Sequence, residues 1–347
     1  MYFLDFYFYT IIKLLLLIIF FIIFNKICLN NNLFLSNNNI SAHKNFIFNK
    51  SIIPISGGFF ILISNIFLQK NFFFNFYNYF YLSIFIIGLY ADLSKNFKPI
   101  LRILAQVLIV GTLIFVFNIF IRDLRLPFFN LLLSNDVLSL IFTVFCIIVF
   151  VNGANLVDGI NLSAIGYFFL IFTTIYMLSI NNNLYTDNEF IKIQIFLLII
   201  VLLFNLFNKS YLGDSGIYLL SLVTSIVIIK FINTNNSISP YFAVLLLWYP
   251  CFENLFSIIR RLLTRASTST PDNRHLHHFI YSFLNQKNIK YSNNFAGIII
   301  LFFNTLIFSF GYKFYNKTQS LIIIIFLAIF SYLISYYTLK KKLKTNF

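Results

Sequence analysis

Three aspartates in the chain stand where a long apolar run begins or ends, and this position makes them candidates for chemistry. Asp92, Asp158 and Asp214 are each flanked by small or amide residues. A carboxylate at a membrane boundary is costly to desolvate, so one without a nearby partner is a functional candidate by default. Oxygen ligands that are few and leave room for substrate phosphates suit Mg²⁺ better than zinc. The alternative is that each aspartate caps the N-terminus of a helix, which fits Asp214 best.

A second group of candidate residues lies in the late segment PDNRHLHH, residues 271–278, which contains Arg274, His275, His277 and His278. Arginine and histidine side chains donate hydrogen bonds to anions, so we expect this segment to bind a phosphate or a diphosphate. The spacing H-x-H-H also allows a metal site, although no cysteine or acidic partner is arranged around it. A solvated loop without a binding role is the remaining alternative.

The composition places these residues in a membrane protein. The chain has 347 residues, of which 60% are hydrophobic and 10% charged, and its mean hydropathy is +0.86. This leaves too little polar surface to coat a soluble globule. The net charge of +15 does not indicate nucleic acid as a partner, because the basic residues lie between apolar runs rather than on a soluble domain.

Apolar runs separated by polar breaks predict about eleven transmembrane helices, since a span needs about 20 apolar residues. They lie near residues 6–28, 55–69, 74–90, 99–120, 136–153, 160–180, 190–207, 213–232, 238–260, 293–313 and 319–339. The first run is expected to remain as a membrane anchor, because no cleavage site of the A-x-A type follows it. We therefore predict an all-α polytopic membrane protein with one membrane-embedded domain over residues 1–347.

Lysines and arginines set the predicted orientation of these spans. With the N-terminus outside and the C-terminus inside, basic residues favour the cytoplasmic loops by roughly 17 to 7. All five unusual polar segments then fall on the cytoplasmic side, namely residues 43–58, 91–102, 152–161, 208–216 and 260–281. The sequence therefore predicts a polar site on the cytoplasmic face of the membrane.

Five motifs in these segments resemble, in order, those of the polyprenyl-phosphate N-acetylhexosamine-1-phosphate transferases. This is bacterial glycosyltransferase family 4, and the closest likeness is to the branch that initiates O-antigen and common antigen, which is related to the muramyl-pentapeptide transferase. The motifs are PISGG, the Ala91–Asp92 pair, NGANLVDG, GDSG and DNRHLHH. Many relatives have two acids where this chain has Ala91 and Asp92, so only the second acid is kept.

The resemblance implies a reaction, a cofactor and a location. The phosphate of undecaprenyl phosphate would attack the β-phosphorus of a UDP-N-acetylhexosamine, release UMP and leave a lipid-diphosphate sugar that starts a surface polysaccharide or O-antigen. The implied cofactor is Mg²⁺, with Mn²⁺ as an alternative ion. The implied enzyme lies in the bacterial plasma membrane among its lipids, with the site facing the cytoplasm, and a homodimer is compatible with this arrangement.

The resemblance also implies roles for individual residues. Asp214 and Asn155 would be ligands of the metal, Asp158 would support the metal and nucleotide, and Asp92 would deprotonate or orient the lipid phosphate. The remaining positions would contact the nucleotide sugar, with the uracil facing Asn161, the nucleotide near Lys50, and phosphates or sugar held by Arg274, His275, His277 and His278.

Two alternative functions remain open at this point. An ion-coupled secondary transporter would also use membrane acids, but such proteins place them near the midplane on broken helices, often in repeats. A CDP-alcohol phosphotransferase would share the Asp158–Gly159 pair, but that family continues with an Ala-Arg pair where this chain has Leu162 and Ser163.

Overall fold

The computed structural model describes residues 2–35, 53–68, 75–94, 97–265, 272 and 274–343, with only the backbone for residues 2–12 and 14. These residues form thirteen α-helices, which we number in chain order. The helices are α1 Tyr2–Asn30, α2 Gly57–Leu68, α3 Tyr77–Leu93, α4 Pro99–Phe117, α5 Pro127–Leu133, α6 Asp136–Val157, α7 Ser163–Asn181, α8 Asn188–Leu206, α9 Gly213–Thr234, α10 Pro240–Leu263, α11 Leu276–Gln286, α12 Ser292–Lys313 and α13 Thr318–Lys342.

The helices confirm the prediction of an all-α polytopic membrane protein. Eight of them are long and apolar enough to cross a membrane, namely α4, α6 to α10, α12 and α13. Each predicted span falls on a separate helix, and only α5 and α11 were not predicted as spans. The count of eleven spans is not confirmed, because α2 has 12 residues and α3 has 17.

Loop contacts show that the polar motifs share one end of the helix bundle. Before α2 and α9, the Tyr211 N–H donates to the Pro54 carbonyl at 3.0 Å. At the other end, the Arg125 guanidinium donates to the Ile238 carbonyl and to Thr318 Oγ1, which joins the loops before α5, α10 and α13. We call the end formed by residues 53–56, 97–98, 158–162, 207–212, 264–265, 272 and 274–275 the motif end. For the described residues of the five segments, the predicted gathering on one side is confirmed.

Helix α9 lies at the centre of the bundle. Of its most apolar stretch 83% is buried, against 22% for α4 and for α13. Glycines allow its backbone to approach its neighbours closely: a Cβ atom added at Gly88 of α3 would lie 2.5 Å from the Ser215 Cα, and one at Gly58 of α2 would lie 2.6 Å from the Gly216 Cα. Real Cβ atoms do not approach backbone atoms so closely, so only glycine fits at these contacts.

Helix α10 contains a proline that divides it into two halves. Pro250 has no N–H, so the Leu246 carbonyl lacks its usual helical donor. The Tyr167 hydroxyl of α7 supplies the missing hydrogen bond at 2.9 Å. Helix α6 packs directly on this point, because a Cβ atom at Gly153 would lie 2.1 Å from the Pro250 carbonyl oxygen. These contacts fix the second half of α10, which carries polar residues toward the motif end.

The close contact of α3 with α9 predicts the effect of one added methyl group. We expect Gly88→Ala to lower the unfolding temperature and the yield of monodisperse protein in detergent, because its Cβ would meet the α9 backbone. Gly111→Ala is the matched control, since its Cβ would lie 3.9 Å from Val144 Cγ2 and alanine favours a helix by about 1 kcal/mol. Equal unfolding temperatures for the two variants would show that the helices are not packed this closely.

Candidate functional site

The site is organised around the N-terminus of α9, which is capped by an aspartate from another helix. Asp92, near the end of α3, is 9% exposed. Its Oδ1 accepts the Asp214 N–H at 2.9 Å and its Oδ2 accepts the Ser215 N–H at 3.0 Å. A carboxylate in this position satisfies two amides that lack helical partners and is stabilised by the helix dipole. An aspartate does cap a helix here, but it is Asp92 rather than Asp214.

The turn before α9 is shaped by glycines from two motifs. Gly213 has φ of +71°, and a Cβ atom there would lie 2.7 Å from Asp92 Oδ2. The Gly57 N–H donates to the Tyr211 carbonyl at 2.9 Å, and the Gly58 N–H donates to the Leu212 carbonyl at 3.3 Å. The PISGG motif therefore approaches the chain that leads into α9, and GDSG begins the helix itself.

The Asp214 side chain forms an ion pair with Arg102 of α4. Arg102 Nη1 lies 3.3 Å from Asp214 Oδ2, and the two side chains are 27% and 17% exposed. Arg102 Nε is buried and has no hydrogen-bond partner among the described residues. From the sequence, Arg102 contributed only to the predicted orientation of the spans in the membrane. Its position one turn into an apolar helix was the signal that could have marked it as part of the site.

The end of α6 faces the same turn. Asp158 follows the last residue of α6, and Asn155 lies three residues earlier, on the same side of the helix. Burial, and after it the charge of Asp158, raise the pKa of Tyr211 well above its ordinary value. Since Tyr211 lies two residues before Gly213, the D-G motif and the start of α9 are neighbours.

The side chains of Asp214 and Asn155 are of the kind that could hold Mg²⁺ together with substrate oxygens. Asp214 and Asn155 offer a carboxylate and an amide oxygen, and Mg²⁺ is usually held by one or two carboxylates together with water and substrate phosphates. Within the described ranges, no group of three or more His, Cys, Asp or Glu residues could hold a metal ion.

The histidines of the late motif are packed inside the protein. His275, His277 and His278 are 1%, 0% and 1% exposed. The rings of His275 and His277 are parallel with centroids 5.4 Å apart, and those of His277 and His278 are 4.2 Å apart. A Cβ atom at Gly159 would lie 2.5 Å from His277 Nε2. The alternative of a solvated loop is therefore wrong, and the cluster contacts the D-G motif.

Asp272 attaches this loop to α10. It pairs with Arg260 and, at 3.3 Å, with Arg261, while its Oδ1 accepts the Arg274 N–H at 2.9 Å. Burial alone would raise the pKa of Asp272, but the neighbouring His275 and the charges of Arg260 and Arg261, together with the hydrogen bond from the Arg274 N–H, hold it well below its usual range. The Arg274 side chain is exposed, so it can reach a ligand at the motif end.

The histidines also have an acidic partner that the sequence analysis missed. Glu253 of α10 is 0% exposed, and its Oε1 lies 2.8 Å from His275 Nδ1. The Tyr332 hydroxyl of α13 donates to Glu253 Oε2 at 2.7 Å. The expectation that no acid surrounds the histidines is thus wrong. A single carboxylate inside an apolar span was the signal that could have revealed Glu253.

Asn161 lies in a separate cluster of amides at the motif end and is 1% exposed. Its Nδ2 donates to Asn208 Oδ1 at 2.6 Å and to Asn294 Oδ1 at 2.7 Å. Its Oδ1 is buried without a hydrogen-bond partner in the described part of the chain. Asn161 therefore joins the turn after α6 to the end of α8 and the start of α12. Lys50 lies outside the described residues.

Comparison with known proteins finds a family that part of this chain resembles. A sequence model described as glycosyl transferase family 4 matches residues 74–232, which carry Asp92, Asp158, Asp214 and all but the last two residues of α9. Over these residues, somewhat less than half of the chain, it is similar to glycosyl transferase family 4. The resemblance seen in the motifs is confirmed. Helices α10 to α13, which hold the histidine cluster, lie outside the stretch matched to family 4.

Two curated relatives are similar to parts of this chain. One, from Bacillus subtilis (strain 168), is named "Probable undecaprenyl-phosphate N-acetylglucosaminyl 1-phosphate transferase" and is 25% identical over 221 residues, 58% of this chain and 56% of the relative. The other, from Thermotoga maritima, is named "Undecaprenyl-phosphate alpha-N-acetylglucosaminyl 1-phosphate transferase" and is 34% identical over 70 residues, 20% of this chain and 23% of the relative. The matches thus span about half of one relative's length and about a quarter of the other's.

The cap on α9 predicts a loss of stability when Asp92 becomes an amide. Asp92→Asn keeps one acceptor oxygen but turns an NH₂ group toward an N–H donor, so we expect a loss of about 1–3 kcal/mol and a lower unfolding temperature. Asp187→Asn is the control, because Asp187 caps α8 through one bond to the Phe190 N–H and asparagine caps equally well. If both variants unfold like the wild type, the cap does not stabilise α9.

The buried histidines predict sensitivity to acid. Burial, and then the neighbouring His278 and His275, lower the pKa of His277 well below the ordinary value of 6.5. Between these two values the unfolded chain binds a proton that the folded protein does not, so stability falls as the pH drops below 6.5. We expect the unfolding temperature of His277→Gln to fall less steeply from pH 7 to about 5 than that of the wild type. Equal slopes would contradict burial of a neutral ring.

Proposed function

We propose that the chain transfers a sugar 1-phosphate from a UDP-N-acetylhexosamine to undecaprenyl phosphate and releases UMP. The observation that carries this proposal is the placement of Asp214 at the start of α9, with its backbone held by Asp92 and its side chain paired with Arg102. This arrangement lies inside the region that matches family 4, and both curated relatives are named as undecaprenyl-phosphate sugar-1-phosphate transferases.

The reaction joins two anions, so the site has to position them and to balance their charge. An oxygen of the lipid phosphate forms a bond to the β-phosphorus, and the bond from this phosphorus to the bridging oxygen breaks, so that UMP leaves with the electron pair. Such transfers depend mainly on positioning and on electrostatic stabilisation. Arg102 and the exposed Arg274 supply fixed positive charge at the motif end.

Asp214 and Asn155 are the residues that would hold Mg²⁺, with Mn²⁺ as the alternative ion. When bound, the ion neutralises charge on the diphosphate and so favours departure of UMP. Asp158, beside the turn before α9, would support the same region. Asn161 would lie near the uracil, and its buried Oδ1, which lacks a hydrogen-bond partner among the described residues, supports this role.

Asp92 acts first by holding α9 in place, because both of its oxygens accept amide N–H groups. It also faces a cavity of about 120 Å³ with mainly apolar walls at the motif end. This cavity supports the proposal that the lipid phosphate is oriented near Asp92. The other lining residues are Asn32, Phe34, Leu35, Ile55, Leu89 and Leu93.

We also propose that the motif end faces the cytoplasm of a bacterial cell, with the helices in the plasma membrane. The excess of lysine and arginine that the sequence assigns to this side, roughly 17 to 7, supports that orientation. The product, a lipid-diphosphate sugar, would start a surface polysaccharide or O-antigen. An ion-coupled transporter is not favoured, because the chain matches family 4 and Asp92 and Asp214 lie at helix ends.

The proposed reaction predicts UMP release by the purified protein. With undecaprenyl phosphate, Mg²⁺ and a panel of UDP-N-acetylhexosamines, we expect UMP from at least one donor and none after chelation of the metal. Asp214→Asn should lower kcat by about 100-fold or more, because it removes a charge from the proposed metal site.

The matched control is Asp136→Asn, at the opposite end of the bundle, where Asp136 pairs with Arg122 in an exposed ion pair. This variant should retain wild-type turnover. Absence of UMP from every donor with well-folded wild-type protein would sink the proposed function. Full turnover by Asp214→Asn would remove only the role given to that residue.

A further inference from the structure

Glu253 is a buried carboxylate for which the proposed reaction has given no role. It lies in the half of α10 that follows Pro250 and is 0% exposed. A buried carboxylate costs several kcal/mol unless hydrogen-bonded partners compensate. Here the partners come from two other parts of the chain, His275 Nδ1 at 2.8 Å and the Tyr332 hydroxyl at 2.7 Å.

The hydrogen bond to Glu253 fixes the direction of the His275 ring. The two nitrogens of an imidazole point in diverging directions, so a ring whose Nδ1 faces Glu253 must aim its Nε2 away from α10. A carboxylate oxygen only accepts, so this contact places a proton on the His275 Nδ1. His275 Nε2 is thereby presented as a hydrogen-bonding group in one defined orientation.

The free nitrogens of the cluster point to a ligand. His275 Nε2 and both ring nitrogens of His277 are buried and have no hydrogen-bond partner among the described residues. A buried polar atom without a partner is costly, so sites with several such atoms usually complete their bonds with a bound molecule. His277 Nε2 faces Gly159, the residue after Asp158, so the cluster borders the proposed nucleotide-sugar site.

We propose that Glu253 is a positioning residue for the sugar-phosphate transfer: it holds His275 so that Nε2–H donates to an oxygen of the substrate diphosphate. This inference rests on the proposed function and adds a residue to it. Glu253 does not touch the substrate, and its effect passes through the His275 ring. The Tyr332 hydroxyl keeps Glu253 in the required rotamer, so α13 also contributes to the geometry of the site.

A second set of polar contacts holds the same loop against α10 and α13. Arg260 donates to the Tyr336 hydroxyl at 2.9 Å and pairs with Asp272, three residues before His275. Asp272 therefore holds the loop against α10 before the first histidine, by contacts that do not involve Glu253. This separation allows Glu253 to be changed without releasing the loop.

The first test is the protonation of His275, which needs no activity. The chain has four histidines, so ¹⁵N-histidine labelling of the full-length protein in nanodiscs gives a simple spectrum, and His275→Gln assigns the His275 signals. We expect a proton on Nδ1 in the wild type and loss of this signature in Glu253→Leu. Glu189→Gln, which changes the other glutamate, exposed at the opposite end, should leave the spectrum unchanged.

The second test is the split between kcat and KM in UMP release. Glu253→Gln keeps an acceptor oxygen for Nδ1–H but loses the charge, so we expect kcat to fall about 10- to 100-fold, as for other residues that orient a histidine. The KM for the UDP-sugar should change less than about 3-fold, because the contact strengthens as charge develops on the diphosphate in the transition state. Tyr332→Phe should have a smaller effect, and Glu189→Gln none.

The possible outcomes separate this inference from the proposed function. Wild-type turnover in Glu253→Gln together with an unchanged His275 spectrum in Glu253→Leu overturns the positioning role. If Glu253→Leu does not fold, the Gln variant decides, because wild-type kcat in that variant would be incompatible with the proposal. If the wild type itself releases no UMP, the proposed function fails, and the spectra then report only on the pairing of Glu253 with His275.

Discussion

Two hydrogen bonds from the first amides of α9 to Asp92 are the interaction on which the rest of the site depends. Helix α9 is the most enclosed of the eight candidate spans, and its N-terminus would be costly to bury with unpaired N–H groups. Asp92 satisfies two of them and adds a charge that the helix dipole favours. The same bonds fix the backbone of Asp214, so the cap and the proposed metal ligand are a single structural unit.

The remaining elements bring a second polar cluster up to this unit. The Tyr167 hydroxyl donates to the carbonyl that Pro250 leaves without a helical donor. The second half of α10 then places Glu253 beside His275. The turn after α6 then lies between the two clusters, with Gly159 against the histidines. The geometry of the proposed site therefore depends on contacts between helices that are distant in sequence, and only part of it lies within the region that matches family 4.

The sequence predicted the helices well because span length is a local property. Every predicted apolar run became a helix, and α5 and α11 were missed because one has 7 residues and the other is an 11-residue helix next to a basic loop. The collection of the motifs at one end was predicted because consecutive spans alternate in direction.

The details of the site could not be predicted in the same way. Asp92 caps a helix that lies far from it in the sequence. It is 122 positions before Asp214, whose N–H it accepts, so no local pattern reveals the bond. The sequence left a solvated loop open as an alternative for the late histidines, whereas Arg260 and Asp272 neutralise each other and the histidines are buried. Glu253 is different, because a lone acid in an apolar run was visible in the sequence and its meaning was missed.

The path of the β-phosphorus tests the central claim most directly. A UDP-N-acetylhexosamine with a radioactive β-phosphorus is incubated with the purified protein, Mg²⁺ and undecaprenyl phosphate, and the lipid and nucleotide fractions are separated. Phosphosugar transfer predicts that the label moves to the lipid together with the sugar, while UMP appears in equal amount. Label that stays in UDP while the sugar moves alone, or that never reaches the lipid, would contradict the account.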